Sequence, residues 1–251
     1  MEKQIYFRNE IQEKLAGTLH IPARSIRRGV VLAHCFTCSR HTTILKHLAN
    51  DLARVGYLAL RFDFSGNGQS EGRFEETTFI KQIAEMKCAI NVIAREGASW
   101  IGLAGHSMGA EVSVLTASNS PSVKGVCAIS GRLSGLKPTH FLTQNQVEQL
   151  HQDGSVLFTS RGRNLRLNST FFSDASRYDL PAVIRSFDRP LLIVHSETDE
   201  IIPVAEAHRA QSMNPRQIEL FTLPEADHML TRTEDQLWVS RAIVDWFGMQ
   251  K

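Results

Sequence analysis

The stretch Ile101-Gly102-Leu103-Ala104-Gly105-His106-Ser107-Met108-Gly109-Ala110-Glu111-Val112-Ser113-Val114-Leu115 decides how the rest of the chain is read. A short apolar run suited to a strand passes directly into Gly105-x-Ser107-x-Gly109, and a helix-prone run follows. A strand-to-helix turn this tight forces the residue at its apex into strained backbone angles. The flanking glycines remove the Cβ atoms that would otherwise collide. Ser107 then projects its hydroxyl into a cleft. A glycine-rich loop with a helix-capping serine fits the same five residues, so the motif has to be weighed against its surroundings.

Working outward, strand and helix signals alternate. Val30-Val31-Leu32-Ala33 reads as a strand buried on both faces, and Ile44, Leu45, Leu48, Leu52 and Val55 recur at helical spacing. Tyr57 to Phe62 supplies the next strand, and Phe79, Ile83, Met86, Ile90 and Ile93 mark one face of a second helix. Beyond the Ser107 turn come strands at Val123 to Ile129, Pro190 to His195 and Gln217 to Leu223. A helix lies near Val204 to Met213, and a last one carries Val239, Ile243, Trp246 and Phe247. Such alternation predicts an α/β fold: a mostly parallel sheet with right-handed crossovers and helices on both faces. Gln4 to Arg8 and Lys14 to Ile21 predict an antiparallel pair at one sheet edge.

Between Gly131 and about Asp188 the alternation stops. A helix over Gln144 to His151 and a β-hairpin, Val156 to Thr159 and Leu165 to Asn168 around Arg161-Gly162-Arg163-Asn164, are expected there. An excursion this long is more than a connection needs, so residues 131–188 are expected to form a cap inserted in a single domain spanning 1–251. Phe141, Phe158, Phe171, Phe172 and Tyr178 could line its pocket, although core packing is the expected role of most of them.

Composition narrows the function classes. Apolar residues make up 42% and charged residues 22% of 251, and the formal charge is +2, too mild to predict a nucleic-acid or membrane-surface partner. The clusters Arg24, Arg27, Arg28 and Arg161, Arg163, Arg166 read as solvated surface. Met1 to Arg8 does not read as a signal peptide, and no run is long and apolar enough to span a bilayer. Four cysteines without a secretion signal predict reduced thiols and a cytoplasmic protein.

A serine hydroxyl is a poor nucleophile at neutral pH and needs a base, which in turn needs an orienting acid. Asp199 falls in the loop after the strand ending at Val194, and His228 in the loop after Leu223, both at the edge where Ser107 is expected. The order Ser107, Asp199, His228 matches one common order of such triads. Asp227, Asp188 and Glu197 are alternative acids, with Asp227 poorly placed by its adjacency to His228. Charge developing on a carbonyl oxygen calls for two backbone N–H donors: Met108, next to the serine, and Phe36, in the loop after Val30 to Ala33.

Together, His34-Cys35-Phe36-Thr37-Cys38-Ser39, Arg61 to Gly72, Gly105 to Gly109 and Ala226-Asp227-His228-Met229-Leu230 resemble an α/β-hydrolase fold serine hydrolase. The motifs look most like the hydrolase half of OsmC-fused bacterial proteins, with cinnamoyl/feruloyl-esterase-like enzymes next. The resemblance covers nearly the whole chain. It implies an eight-stranded sheet with a cap and hydrolysis of a small-molecule carboxylic ester without cofactor or metal. Thioesterase, aminopeptidase and acyltransferase chemistry stay open, as does a catalytically silent binding module. Two departures stand out: the chain ends at Lys251 with no OsmC-type domain, and Cys35 replaces a glycine that many relatives carry.

Three further motifs have competing readings. His34-Cys35-x-x-Cys38-x-x-His41 could be a thiol-redox or zinc site, although its tight spacing is ill suited to tetrahedral ligation. Gly66-Asn67-Gly68-Gln69-Ser70-Glu71 is rejected as a dinucleotide loop because Glu71 stands where the third glycine belongs; the turn is expected to shape one wall of the cleft, with Asp63 structural. Cys88 and Cys127 read as core packing.

Overall fold

The computed structural model describes residues 1–23 and 27–251. Its strands are β1 (Glu2–Arg8), β2 (Lys14–His20), β3 (Arg28–Ala33), β4 (Tyr57–Phe62), β5 (Trp100–His106), β6 (Val123–Ile129), β7 (Ser155–Ser160), β8 (Arg163–Asn168), β9 (Leu191–Ser196) and β10 (Ile218–Leu223). The helices are α1 (Thr43–Arg54), α2 (Phe79–Arg95), α3 (Met108–Ser118), α4 (Gln144–Asp153), α5 (Ser169–Ala175), α6 (Leu180–Arg185), α7 (Ala205–Met213) and α8 (Thr233–Met249). Eight strands form one sheet in the order β1-β2-β4-β3-β5-β6-β9-β10. Pairing is parallel from β4 to β10 and antiparallel at β1–β2 and β2–β4, as the alternating pattern and the N-terminal pair predict.

Strand alternation sorts the core into two layers. On one face Val31, Leu103, Val126 and Ile193 meet Met86 and Ile90 of α2 and Val112 of α3. On the other Val30, Leu32, Cys127 and Val194 meet Leu45, Leu48 and Leu52 of α1 and Ile243 and Phe247 of α8. Each strand residue thus faces opposite to its neighbour, and continuous apolar runs are what a sheet covered on both sides requires. This is the α/β-hydrolase architecture. It carries the C-terminal ends of β3, β5, β9 and β10 to one sheet edge.

After β6 the chain leaves the sheet and returns at β9. In between lie α4, the β7–β8 hairpin, α5 and α6; the last two helices carried too few periodic apolar positions to be predicted. The hairpin turn is shorter than expected. Arg161 and Gly162, at φ 51° and 70°, close it alone, and Arg163 and Asn164 continue β8.

One cysteine and one surface expectation are corrected. Cys35 and Cys38 are joined as a disulfide, their Cα atoms 5.2 Å apart, because the Cys38 N–H donates to the Cys35 carbonyl at 3.2 Å and folds the pair into a turn. Cys88 and Cys127 are free, and Cys127 is buried in the sheet. Arg28 is no solvated residue: it lies 3.9 Å over the Trp100 ring and donates to the carbonyls of Phe247 and Gln250. Arg24 lies outside the described residues. The second cluster, Arg161, Arg163 and Arg166, is exposed as expected; from the surface Arg163 donates to the Thr37 carbonyl at 2.6 Å and Arg166 to Ser155 Oγ, tying β8 to its neighbours.

Candidate active site

Ser107 adopts φ 55° and ψ −125° between β5 and α3. Its glycine neighbours are required by contact: a Cβ at Gly109 would meet the Ala33 carbonyl oxygen at 2.5 Å, and one at Gly105 would strike the Gly109 backbone. The Ser107 N–H donates to the Ile129 carbonyl at 2.8 Å, locking the turn onto β6. The hydroxyl faces a cavity of about 360 Å³ that His228, Phe36 and Met108 also line.

Asp199 and His228 come together as the order of elements predicts. The His228 Nδ1–H donates to Asp199 Oδ2 at 2.8 Å, and Oδ1 also accepts the Ile201 and Ile202 N–H groups at 2.9 and 2.8 Å. Burial pushes the Asp199 carboxyl up. The hydrogen bond and charge of His228, with the two amides, outweigh that and hold it below the ordinary aspartate value. With Nδ1 engaged, Nε2 is the His228 nitrogen left for the cavity. Among the described residues the Ser107 hydroxyl and His228 Nε2 are not hydrogen-bonded to each other. The alternative acids are otherwise engaged: Asp227 accepts from the Thr231 N–H, Asp188 pairs with Arg189, and Glu197 accepts from Thr222 Oγ1.

The loop after β3 is held by a buried histidine. The His34 Nδ1–H donates to the Cys35 carbonyl at 2.6 Å, and Nε2 accepts the Phe64 N–H at 3.1 Å, so both ring nitrogens are used. Burial pushes the His34 pKa down, keeping the ring neutral in this tautomer. A trans peptide sets its N–H opposite its C=O. Anchoring the Cys35 carbonyl therefore turns the Phe36 N–H the other way, and that N–H has no acceptor among the described residues. The Met108 N–H, first in α3, is likewise free.

Sequence reasoning missed several contributors. Glu200 Oε2 accepts the His228 N–H at 3.1 Å, and the His106 Nε2–H donates to the His228 carbonyl at 2.8 Å. Burial, with the nearby His228, pushes His106 down to about 3, so it acts as a neutral donor. Arg40, 1% exposed, pairs with Asp63, whose Oδ1 accepts the Arg40 N–H at 2.6 Å and whose Oδ2 accepts the Gln69 N–H at 2.9 Å. Asp63 is thus structural, as expected; the Gly66 to Glu71 turn braces the Phe36 loop through Asp63, and its Gly68 lines a neighbouring cavity that shares Thr37, Arg161 and Met229 with the Ser107 cavity. Glu200 sits in no motif, and His106 and Arg40 fall at variable positions of theirs, so spacing alone gave them no role.

Phe141, Phe158 and Phe171 line the cavity beside Phe36, with Phe36 stacked on Phe171 at 5.1 Å; Phe172 and Tyr178 pack on the core instead. Arg161, in the cluster expected to be solvated, also lines the cavity and donates to Met229 Sδ at 2.9 Å. The zinc arrangement does not form. Both His34 nitrogens and the sulfurs of Cys35 and Cys38 have partners, and among the described residues no three His, Cys, Asp or Glu side chains converge on a metal position. No helix of the described residues is long and apolar enough to cross a membrane.

Sheet order, strained serine turn and the histidine–aspartate pair at one strand edge define the class as α/β-hydrolase. The chain belongs to the serine aminopeptidase S33 family of hydrolases, whose model matches residues 24–179. Among solved structures, the esterase domain of a Rhodothermus marinus protein is 26% identical with a TM-score of 0.78, covering 100% of this chain and 99% of that one. Est1E from Butyrivibrio proteoclasticus, with ferulic acid bound, is 20% identical with a TM-score of 0.86 and 98% of each chain covered. An esterase from Pyrococcus furiosus is 20% identical with a TM-score of 0.71, covering 100% and 91%. Among curated proteins no sequence matches the chain significantly.

Proposed function

We propose that the protein hydrolyses carboxylic esters through an acyl-enzyme on Ser107. The observation that carries this reading is the joint placement of the strained Ser107 turn and the Asp199-oriented His228 on one cavity. His228 Nε2 takes the Ser107 proton as Oγ attacks the ester carbonyl. The Met108 and Phe36 N–H groups receive the developing oxyanion. The alcohol leaves with the proton from His228, and a water deprotonated by the same nitrogen then releases the acid. Catalytic hydrogen bonds often tighten only once substrate is bound, which accommodates the open Ser107–His228 pair. Residues 131–188 act as the cap that selects the acyl group.

The S33 description names a serine aminopeptidase, and the same machinery serves amide, thioester and acyl-transfer chemistry. The apolar rings at the cavity and the esterase likeness favour esters. The narrower likeness to OsmC-fused hydrolases or cinnamoyl/feruloyl-esterase-like enzymes rests on the motifs alone. The test is Ser107→Ala on short 4-nitrophenyl esters: turnover is abolished while the thermal melt is retained. Unchanged activity would sink the assignment. Fluorophosphonate labelling of the native protein, lost in Ser107→Ala, separates an active hydrolase from a silent binding module.

A further inference from the structure

One stretch of the cavity wall is polar, and the proposed reaction does not use it. Glu111 stands four residues after Ser107, and Arg132 follows β6; both line the cavity, and they are 8% and 7% exposed. The Arg132 N–H donates to Glu111 Oε1 at 3.2 Å, while Oε2 has no partner among the described residues and is not among the fully buried unpaired atoms. Arg132 Nη1 donates to Glu206 Oε1 at 3.0 Å. Its Nε is buried without an acceptor, and Nη2 donates to no described protein group. A guanidinium this buried, with a single acceptor for its five N–H groups, is short of partners.

Charge points the same way. Around the Glu206 carboxylate stand Arg132, Arg209 at 2.7 Å and Lys137 at 3.6 Å, so three cations face one carboxylate. Ser134 Oγ donates to that carboxylate as well. Burial pushes the Glu111 carboxyl up to about 8, against the opposing pull of the Arg132 N–H and charge, so at neutral pH it adds no negative charge and keeps a proton. As the neutral acid, Glu111 adds an O–H donor to the unpaired guanidinium N–H groups on the same cavity wall. The group that satisfies both is an anion with two coplanar oxygens, since a guanidinium fork matches a carboxylate.

We propose that Arg132 and Glu111 form a carboxylate-binding subsite, so that the ester cleaved at Ser107 carries a free carboxylate on its acyl chain. Four residues of α3 span about 6 Å, which puts that carboxylate a few carbon atoms from the scissile carbonyl, as in half-esters of short dicarboxylic acids. Arg132 and Glu111 are specificity residues: they touch the substrate away from the reacting atoms. The inference rests on the acyl-enzyme reading of the same cavity.

The test compares monoethyl glutarate with ethyl valerate, which match in chain length and differ by one carboxylate. The expected kcat/KM favours the half-ester by about tenfold or more, the range for a hydrogen bond to a charged group. In Arg132→Met that ratio collapses towards one. Glu206 keeps Arg209, Lys137 and Ser134, so the variant is expected to fold, which a thermal melt and fluorophosphonate labelling of Ser107 check. Glu111→Gln keeps a neutral donor and retains the preference, whereas Glu111→Leu loses part of it. Equal or better turnover of ethyl valerate by the native protein, or an unchanged ratio in a folded Arg132→Met, overturns the subsite. If neither ester is cleaved and Ser107 is not labelled, the hydrolase reading fails; the subsite is then judged by calorimetry with glutarate. Binding to the native protein and its loss in Arg132→Met supports it, and no binding overturns it.

Discussion

On the cavity wall built from strand ends, the groups that hold the site are committed to one another, while the Ser107 hydroxyl and the Phe36 and Met108 N–H groups are left free to meet a substrate. Asp199 accepts from His228 and two amides, and His34 uses both ring nitrogens. On the wall built around residues 131–188, rings of Phe141, Phe158 and Phe171 alternate with Arg132, whose guanidinium is mostly uncommitted. The first wall is preorganised: its dipoles are fixed before substrate arrives, which is what lowers a barrier with developing charge. The second leaves its valences to be filled by what binds. Reaction and selection are thus separated within one cavity, and each can be broken without the other.

The largest effect belongs to the preorganised wall. Asp199→Asn leaves His228 without its carboxylate and in the wrong tautomer, so kcat is expected to fall by about 10³–10⁴-fold with the melt retained. Asp227→Asn, whose partner is Thr231, serves as the control and stays near native activity. A loss under tenfold for Asp199→Asn would put another acid behind His228.

Next comes His34, which touches no substrate and acts through a peptide plane. His34→Leu releases the Cys35 carbonyl and with it the Phe36 N–H. The expected loss is about 10²-fold in kcat, the scale of one oxyanion donor, with KM changed little. A merely structural role would lower the melt and leave kcat per labelled Ser107 unchanged. On the other wall, Phe158→Ala opens space beside Phe36 and shifts preference towards longer or bulkier acyl groups by about tenfold, leaving acetyl esters as the internal reference. An unchanged acyl-length profile would remove residues 131–188 from selection.

The same division explains what could be read from the chain. Ser107, Asp199 and His228 each follow a strand at one sheet edge, so local motifs and strand order suffice to place them. His34, Arg40 and Glu200 act through contacts between loops distant in sequence, which no local spacing encodes. Arg28 shows why composition misleads: it reads as solvated, yet it lies over the Trp100 ring and donates to the carbonyls of Phe247 and Gln250. Cys35 and Cys38 are close because a turn closes, a fact that expectations about compartment do not address. Helices α5 and α6 are held by tertiary packing of Phe171, Leu180 and Ile184, not by any periodic apolar face.

The smallest effect probes Glu111 without any substrate. Its folded value, about 8, lies above the ordinary glutamate value of 4.5, so the folded state holds a proton that the unfolded chain releases between those pH values. Stability from this group is therefore full below about pH 4.5 and declines as pH rises towards 8, at no more than about 1.4 kcal/mol per pH unit. Glu111→Gln removes the titration and should flatten the fall in Tm over that window, while Asp199 contributes in the opposite sense. Its lowered value gives stability that is present above the ordinary aspartate range and lost as pH drops below it. Parallel melts of the native protein, Glu111→Gln and Asp199→Asn from about pH 2 to 9 cover both windows and separate the two. If Glu111→Gln tracks the native curve through pH 8, Glu111 is ionised in the folded protein, and the wall beside Arg132 presents a carboxylate where the subsite needs a donor.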